Sequence, residues 1–195
     1  AAGGSQSDAS LSRLEVDIWQ TGAETRTTMD HLSLIATPTE RSALAAAPGI
    51  THELRTKARL NHPGAQISQV AKMVASGSAS HCIFDGRVDI EKEAQQTDAA
   101  QIARGILMTR RATINARPNL RIQADDVAAS HGCTIADLEE DQIFYMASRG
   151  IEEKDARAVL IGSFISEITS LLADFPKLSG RVTQSVDKAL SQCDI

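Results

Sequence analysis

PNLRIQADDVAASHGCTIADLEEDQIFYMASRGIEEKDARAVLIGSF, the stretch from Pro118 to Phe164, is where the chain changes character. Upstream of it, short runs alternate apolar and polar residues, the period of a strand with one buried face. Downstream, apolar residues recur three and four apart, the period of a helix that buries one stripe. At the junction stand Asp125 and Asp126, then His131 and Cys133 on either side of Gly132.

Working back from the junction, Leu14, Val16 and Ile18 alternate with Glu15, Asp17 and Trp19 and predict a strand, with TGAE as the turn after it. Leu32 and Leu34 mark a second strand. Residues 40–47 are Ala-rich and fit a helical turn or two, stopped by Pro48-Gly49. His52–Leu60 is mixed, and HPGAQ reads as a turn. Short strands are then expected at Val70–Val74, Cys82–Phe84, Val88–Ile90, Ile106–Met108, Ala112–Ile114 and Leu120–Ile122, with SGSAS and FDGR as turns. Many short strands between turn signals imply an all-β body. Sandwich, barrel and solenoid all fit, and the spacing is too irregular to define a repeat.

Working forward, Asp137 is the expected N-cap of a first helix, with Glu140 completing a capping box. Its apolar face is Leu138, Ile143, Phe144 and Met146, and Gly150 supplies the left-handed stop. A second helix starts near Glu152, where Glu152, Glu153 and Asp155 favour the positive end of the helix dipole. Its expected face is Ala156, Val159, Leu160, Phe164, Ile168, Leu171 and Leu172, and Pro176 ends it. Leu178, Val182, Val186 and Leu190 mark a third helix. Strands first and helices last is a segregated α+β arrangement.

The 195 residues suffice for a real core, and 42% hydrophobic content excludes a disordered chain. A net charge of −5 argues against a nucleic-acid or anionic-membrane surface over the whole domain. Cys82, Cys133 and Cys193 are odd in number and far apart, which is neither a disulfide framework nor a zinc spacing, and fits a reducing compartment. No apolar run is long enough to span a bilayer. The N-terminal AAGGSQSDAS lacks the apolar core of a signal peptide and reads as a flexible tail. No GxxxxGK[ST] is present, so no P-loop.

His131 can ligate a metal ion or carry a proton near neutral pH, or simply hydrogen-bond within the strand-to-helix turn. Cys133 can act as a thiolate ligand or nucleophile, aided by the N-terminus of the following helix, but a small buried hydrophobe is the commoner use of such a residue. Cys82 alternates with Phe84 and is expected in the core. Asp125 and Asp126 are adjacent, so they cannot simply converge as an acid–base pair if they lie on a strand, and turn chemistry suits them better. Phe144 and Phe164 are expected to pack in the core.

The junction resembles the SufB/SufD family, the scaffold proteins of iron–sulfur cluster assembly. The resemblance is carried by ADDV (Ala124–Val127), SHG (Ser130–Gly132), Thr134, LEEDQIFYMASRGI (Leu138–Ile151), and Ala156, Arg157, Leu160, Ile161 and Phe164. FDGRVDI (Phe84–Ile90), AQQTDAAQ (Ala94–Gln101), Pro118, Leu120 and Ile122 add to it. His62, Ser68, Gln69 and Lys72 are the best matches upstream. SufD is the closer branch: its assembly histidine falls at His131, and the cysteine that SufB carries near QTDAAQIARG is missing, with Ile102 in its place. One departure is Ala129, where SufD proteins often have a cysteine, while Cys133 stands where alanine is common.

The resemblance implies a right-handed parallel β-helix, a single-stranded solenoid, over residues 13–133, after a tail at 1–12 and before a helical domain at 134–195 that docks an ATPase. It implies a scaffold that is not itself an enzyme, with a SufC-type ABC ATPase and a SufB-type subunit, or a second copy as a homodimer, as partners, and neither nucleic acid nor membrane. It places cluster-assembly roles on His131 and Cys133, metal ligation on His131, and partner contacts on Arg149, Gly150, Ile151 and Phe164. No cofactor is held tightly by the chain alone; iron or an Fe–S cluster passes transiently through the subunit interface, in bacterial cytoplasm or plastid stroma. The rival readings are an interaction module that kept the fold, a SufB-type scaffold, and a small enzyme using Asp125, Asp126 and His131.

Overall fold

A computed structural model describes residues 10–36, 49–77 and 79–192. Eight strands come first: β1 (Ser10–Trp19), β2 (Arg26–Ala36), β3 (Ile50–Leu60), β4 (Gln66–Ser76), β5 (Ser80–Ile90), β6 (Thr97–Leu107), β7 (Thr113–Ile122) and β8 (Val127–Ala136). Helices α1 (Glu140–Ser148), α2 (Glu153–Thr169) and α3 (Pro176–Gln192) follow, with a 3₁₀ turn at Ser170–Leu172. The strands alternate between two four-stranded sheets, β1-β3-β5-β7 and β2-β4-β6-β8. All pairs are parallel and in unbroken register. Each consecutive pair of strands thus forms one tier laid on the tier before it.

Period-two alternation decides which side chains enter the space between the sheets. From β5 these are Cys82, Phe84, Val88 and Ile90; from β4 and β6 they include Ile67, Ala71, Met73, Ala75, Ala99 and Ala103. The outer face of the first sheet is charged. Glu53 accepts from Arg13 Nε and Arg55 Nε, both at 2.6 Å, and the Arg59 guanidinium lies 4.7 Å from the Trp19 ring centre. The outer face of the second sheet is covered: Val74 packs against Ile161 and Ile165 of α2, with Leu32, Leu34, Phe164, Val186 and Leu190 around them.

The turns between the sheets stack as well. Glu24, Gly64 and Gln96 take left-handed φ values of 55°, 72° and 58°. Their amides donate to Pro63 O, Gln95 O and Asp126 O on the next tier, so the backbone ladder continues around the corner. The turns expected at TGAE and HPGAQ are present.

Several expectations are corrected. FDGR is not a turn: it lies inside β5, which joins the two strands expected at 82–84 and 88–90. Gly86 is there because a Cβ would collide with the Phe84 ring and the Gln101 amide. The strands expected at 112–114 and 120–122 are likewise one, β7. Pro118 is tolerated inside it because β7 is the last strand of its sheet and needs no donor on its far side. β6 starts at Thr97, well before Ile106, since its inward positions Ala99, Ala103 and Gly105 are too small to show as an apolar run.

In the helical part, the Asp137 capping box does not form. α1 begins at Glu140 after Glu139, and Asp137 Oδ1 accepts only from Leu138 N, at 2.7 Å. Phe144 is 76% exposed rather than packed in the core. α2 buries Ala156, Ile161 and Ile165, while Val159 and Leu171 of the expected face point outward. Gly150 does end α1 at φ 83°, with Gly150 N donating to Ala147 O and Ile151 N to Met146 O, a Schellman closure. Pro176 ends nothing on its own but opens α3, the first-turn place where proline's missing N–H is harmless. Of the tail expected at 1–12, residues 10–12 belong to β1 and the rest lie outside the described residues, as do 40–47 and Cys193.

Candidate functional site

β8 is the last strand of the second sheet and pairs with β6 alone among the described residues. In register, His131 sits beside Gln101 and Cys133 beside Ala103. Gln101 and Ala103 both face the core and are fully buried, so β8 turns His131 and Cys133 to that same inner side. No described tier lies over them, and both are exposed. Cys133 is therefore neither a buried hydrophobe nor at a helix N-terminus; it sits well inside a strand that runs on to Ala136. The two residues are about 7 Å apart along the strand, near enough for both side chains to reach one ion or cluster.

His131 Nδ1 is 3.2 Å from the carbonyl oxygen of Pro118, across in β7. A carbonyl only accepts, so the contact puts a hydrogen on Nδ1; the tautomer of the neutral ring that satisfies it leaves the lone pair on Nε2. That is the outer support a metal-binding histidine uses. Among the described residues, no three His, Cys, Asp or Glu side chains gather closely enough to hold a metal ion. A complete ligand set at His131 and Cys133 thus requires other donors.

Beneath His131 lies a polar file that periodicity alone did not single out. Gln69 Nε2 donates to Thr56 Oγ1 and Gln101 Nε2 donates to Gln69 Oε1, both at 2.7 Å. Gln101 Oε1 is shut off from solvent and has no hydrogen-bond partner among the described residues. Such a buried orphan carbonyl costs about 1–3 kcal/mol. The available signal was two glutamines at inward positions of strands, 32 residues apart.

Asp125 and Asp126 lie in the turn between β7 and β8, not on a strand, and both are exposed. The Asp126 backbone N–H donates to Gln95 Oε1 at 2.9 Å, which ties this turn to the one on the tier before. Five residues of strand, about 16 Å, separate Asp126 from His131. These three residues do not form one site, which removes the basis for the small-enzyme reading.

At the end of α1, Arg149, Gly150 and Ile151 are all exposed. The Arg149 guanidinium stands 5.4 Å from the Tyr145 ring centre. Phe164 is placed differently: it packs against the second sheet, and the Lys72 ammonium lies 4.4 Å from its ring centre. It is half-buried between α2 and the sheet rather than fully exposed. Cys82 is in the core as expected, its thiol pushed up to about 11 by burial. No helix among the described residues is long and apolar enough to cross a membrane.

Comparison with known proteins gives this geometry a family. The SufBD core domain of the SUF system for FeS cluster assembly matches residues 5–164. Protein ABCI7, chloroplastic, of Arabidopsis thaliana is 48% identical over 118 residues, covering 60% of this chain and 25% of that protein. An iron–sulfur cluster assembly SufBD family protein of Synechocystis is 38% identical over 152 residues, 77% of this chain and 33% of that protein. The iron–sulfur cluster assembly protein SufD of Escherichia coli is 36% identical over 106 residues, 54% of this chain and 25% of that protein. The chain spans a quarter to a third of the length of these relatives. With the match running from the first strand into α2, the chain belongs to the SufBD core family of iron–sulfur cluster assembly proteins.

Proposed function

We propose that the chain forms part of a SufD-type scaffold, which builds and passes on iron–sulfur clusters together with a SufB-type subunit and a SufC-type ABC ATPase. It is not an enzyme in its own right. The stacked tiers are the turns of a right-handed parallel β-helix, and the three helices form the domain that docks the ATPase. The observation that carries this reading is the position of His131 and Cys133: two exposed side chains able to bind metal or sulfur, on the core-facing side of the last strand of its sheet, beside a backbone edge that no described strand pairs.

A partner strand laid along β7 and β8 would enclose both side chains and bring the missing donors. His131 Nε2, with Nδ1–H fixed by Pro118 O, then offers its lone pair to iron or takes a proton, and the Cys133 thiolate binds iron or carries sulfur. The cluster is cargo, held between subunits and released. Exposed Phe144, Tyr145, Arg149 and Ile151 supply the apolar and cationic contacts for the ATPase. A SufD scaffold of this kind works in bacterial cytoplasm or plastid stroma.

The test is complementation in cells lacking the native subunit. His131→Ala is expected to abolish activity of cluster-dependent enzymes while the subunit still accumulates and still co-purifies with its partners. Full rescue by His131→Ala removes His131 from the mechanism. Co-purification of Phe144→Ala with the ATPase at parental yield removes α1 from the docking surface.

A further inference from the structure

Gln101 is the one buried amide whose position bears on His131. Gln101 and His131 are register partners on β6 and β8, while Gly86 and Pro118 are register partners on β5 and β7. The Gln101 head crosses the core to lie over Gly86, where a Cβ would meet its Nε2. One tier up, the His131 ring crosses to Pro118 O. The amide therefore lies under the imidazole. Gln101 Nε2 donates to Gln69, on the tier below. Its carbonyl oxygen takes no part in that bond and is buried and unpartnered, and the strand laid next on β6 is the one that carries His131.

We propose that Gln101 Oε1 and His131 Nε2 form a two-donor half-site that takes a divalent iron ion from the cargo, so that Gln101 is a ligand as well as a part of the core. The inference rests on the reading of His131 given above and adds a second donor from this chain. Both atoms offer lone pairs, so neither can satisfy the other; a cation between them satisfies both. Adjacent strands are about 4.8 Å apart, and an ion held by nitrogen and oxygen at about 2.0–2.2 Å each spans nearly that gap. Cys133, on the same face, offers the sulfur donor that completes a borderline N/O/S set suited to a first-row metal. The Pro118 carbonyl favours the tautomer with hydrogen on Nδ1, the one that leaves Nε2 open to a metal ion.

The test uses metal alone on the full chain, without oxygen. Co²⁺ is titrated as an optical substitute for Fe²⁺, and affinity is read from its d–d absorption bands. Gln101→Met, which keeps the length and loses the oxygen, is expected to weaken binding about 10-fold or more. Gln101→Glu keeps an oxygen at the same reach and is expected to bind at least as tightly as the parent. In the unaltered chain, Zn²⁺ is expected to shift the NMR signals of the Gln101 side-chain amide together with those of the His131 ring, a readout that needs no variant to fold. If His131→Ala abolishes binding while Gln101→Met binds like the parent, or the Gln101 amide signal stays in place as His131 shifts, this inference is overturned and the reading of His131 stands. If His131→Ala binds like the parent, or the parent binds no Co²⁺, the half-site is rejected; the cellular rescue assay decides the reading of His131 separately.

Discussion

Lys72 of β4 donates through its ammonium to the carbonyl oxygen of Phe164 in α2, at 2.6 Å. Glu167, one turn on, pairs with the same ammonium, and Arg104 reaches the Glu167 carboxylate at 3.6 Å. The Lys72 side chain is 2% exposed, whereas that of Glu167 is 55% exposed. The two ends of this bridge are therefore unequal. Losing Glu167 leaves a buried cation with only a carbonyl and a ring, and losing Lys72 leaves a carboxylate already in water. We predict that Glu167→Ala costs about 2 kcal/mol, a buried-pair penalty reduced for solvent screening, and that Lys72→Met costs about 1 kcal/mol. Urea denaturation of both variants checks the order; Lys72→Met as the more damaging change contradicts it.

Acid should weaken the fold in two stages. Burial holds His31 below its ordinary value, helped by His52, and burial alone does the same for His52. Groups lowered in the folded state contribute stability above their unfolded value, and that contribution fades as pH falls through the folded value. The loss therefore begins below about pH 6.5, the ordinary histidine value. Glu167, lowered chiefly by its hydrogen bond to Lys72, and Glu53, lowered chiefly by its hydrogen bond to Arg13, add a second fall below the ordinary glutamate value. Asp30 has the opposite sign, since burial and then Glu167 raise it, so Asp30→Asn should stabilise the chain at neutral pH. Urea midpoints measured across this range should show the upper stage flattened by His52→Gln.

Gly86→Ala is expected to destabilise the chain by about 1–3 kcal/mol, the usual cost of overpacking. The added methyl meets the Phe84 ring and the Gln101 amide, and Gln101 cannot retreat without breaking its bond to Gln69. Thermal melting measures the cost. A neutral result would mean that the core beside Gln101 is loose.

The thiols should separate cleanly. With Cys193 replaced by serine, iodoacetamide near neutral pH should modify exposed Cys133 in the native chain and leave Cys82 untouched. Cys82 is buried, and with its value pushed up to about 11 it stays a protonated thiol. Peptide mass spectrometry with and without denaturant reads this directly; native labelling of Cys82 contradicts it.

How much was legible in the sequence depends on side-chain size. Leu14, Val16 and Ile18 announce β1 because large apolar residues alternate there, and Gly150 announces the end of α1 because only a left-handed residue fits. β6 is hidden because its inward residues are threonine, alanine, glutamine and glycine, which carry little hydropathy. FDGR mimics a turn because a glycine that yields space to Phe84 reads the same as one that bends the chain. Phe144 and Val159 read as core and are exposed, because helical spacing shows a stripe but not which partner covers it. His131 was picked out by its motif, while its partner Pro118 O and the orphan oxygen of Gln101 arise only when strands distant in sequence are laid side by side.

The unslipped stacking of one tier on the next also limits how the gene can change. Deleting one codon inside β4 or β5 would exchange every downstream position of that strand between the oily interior and the surface, undoing two faces with a single event. Length can vary cheaply only at the bends. Related chains should therefore differ by insertions at those bends while keeping their strand lengths almost constant.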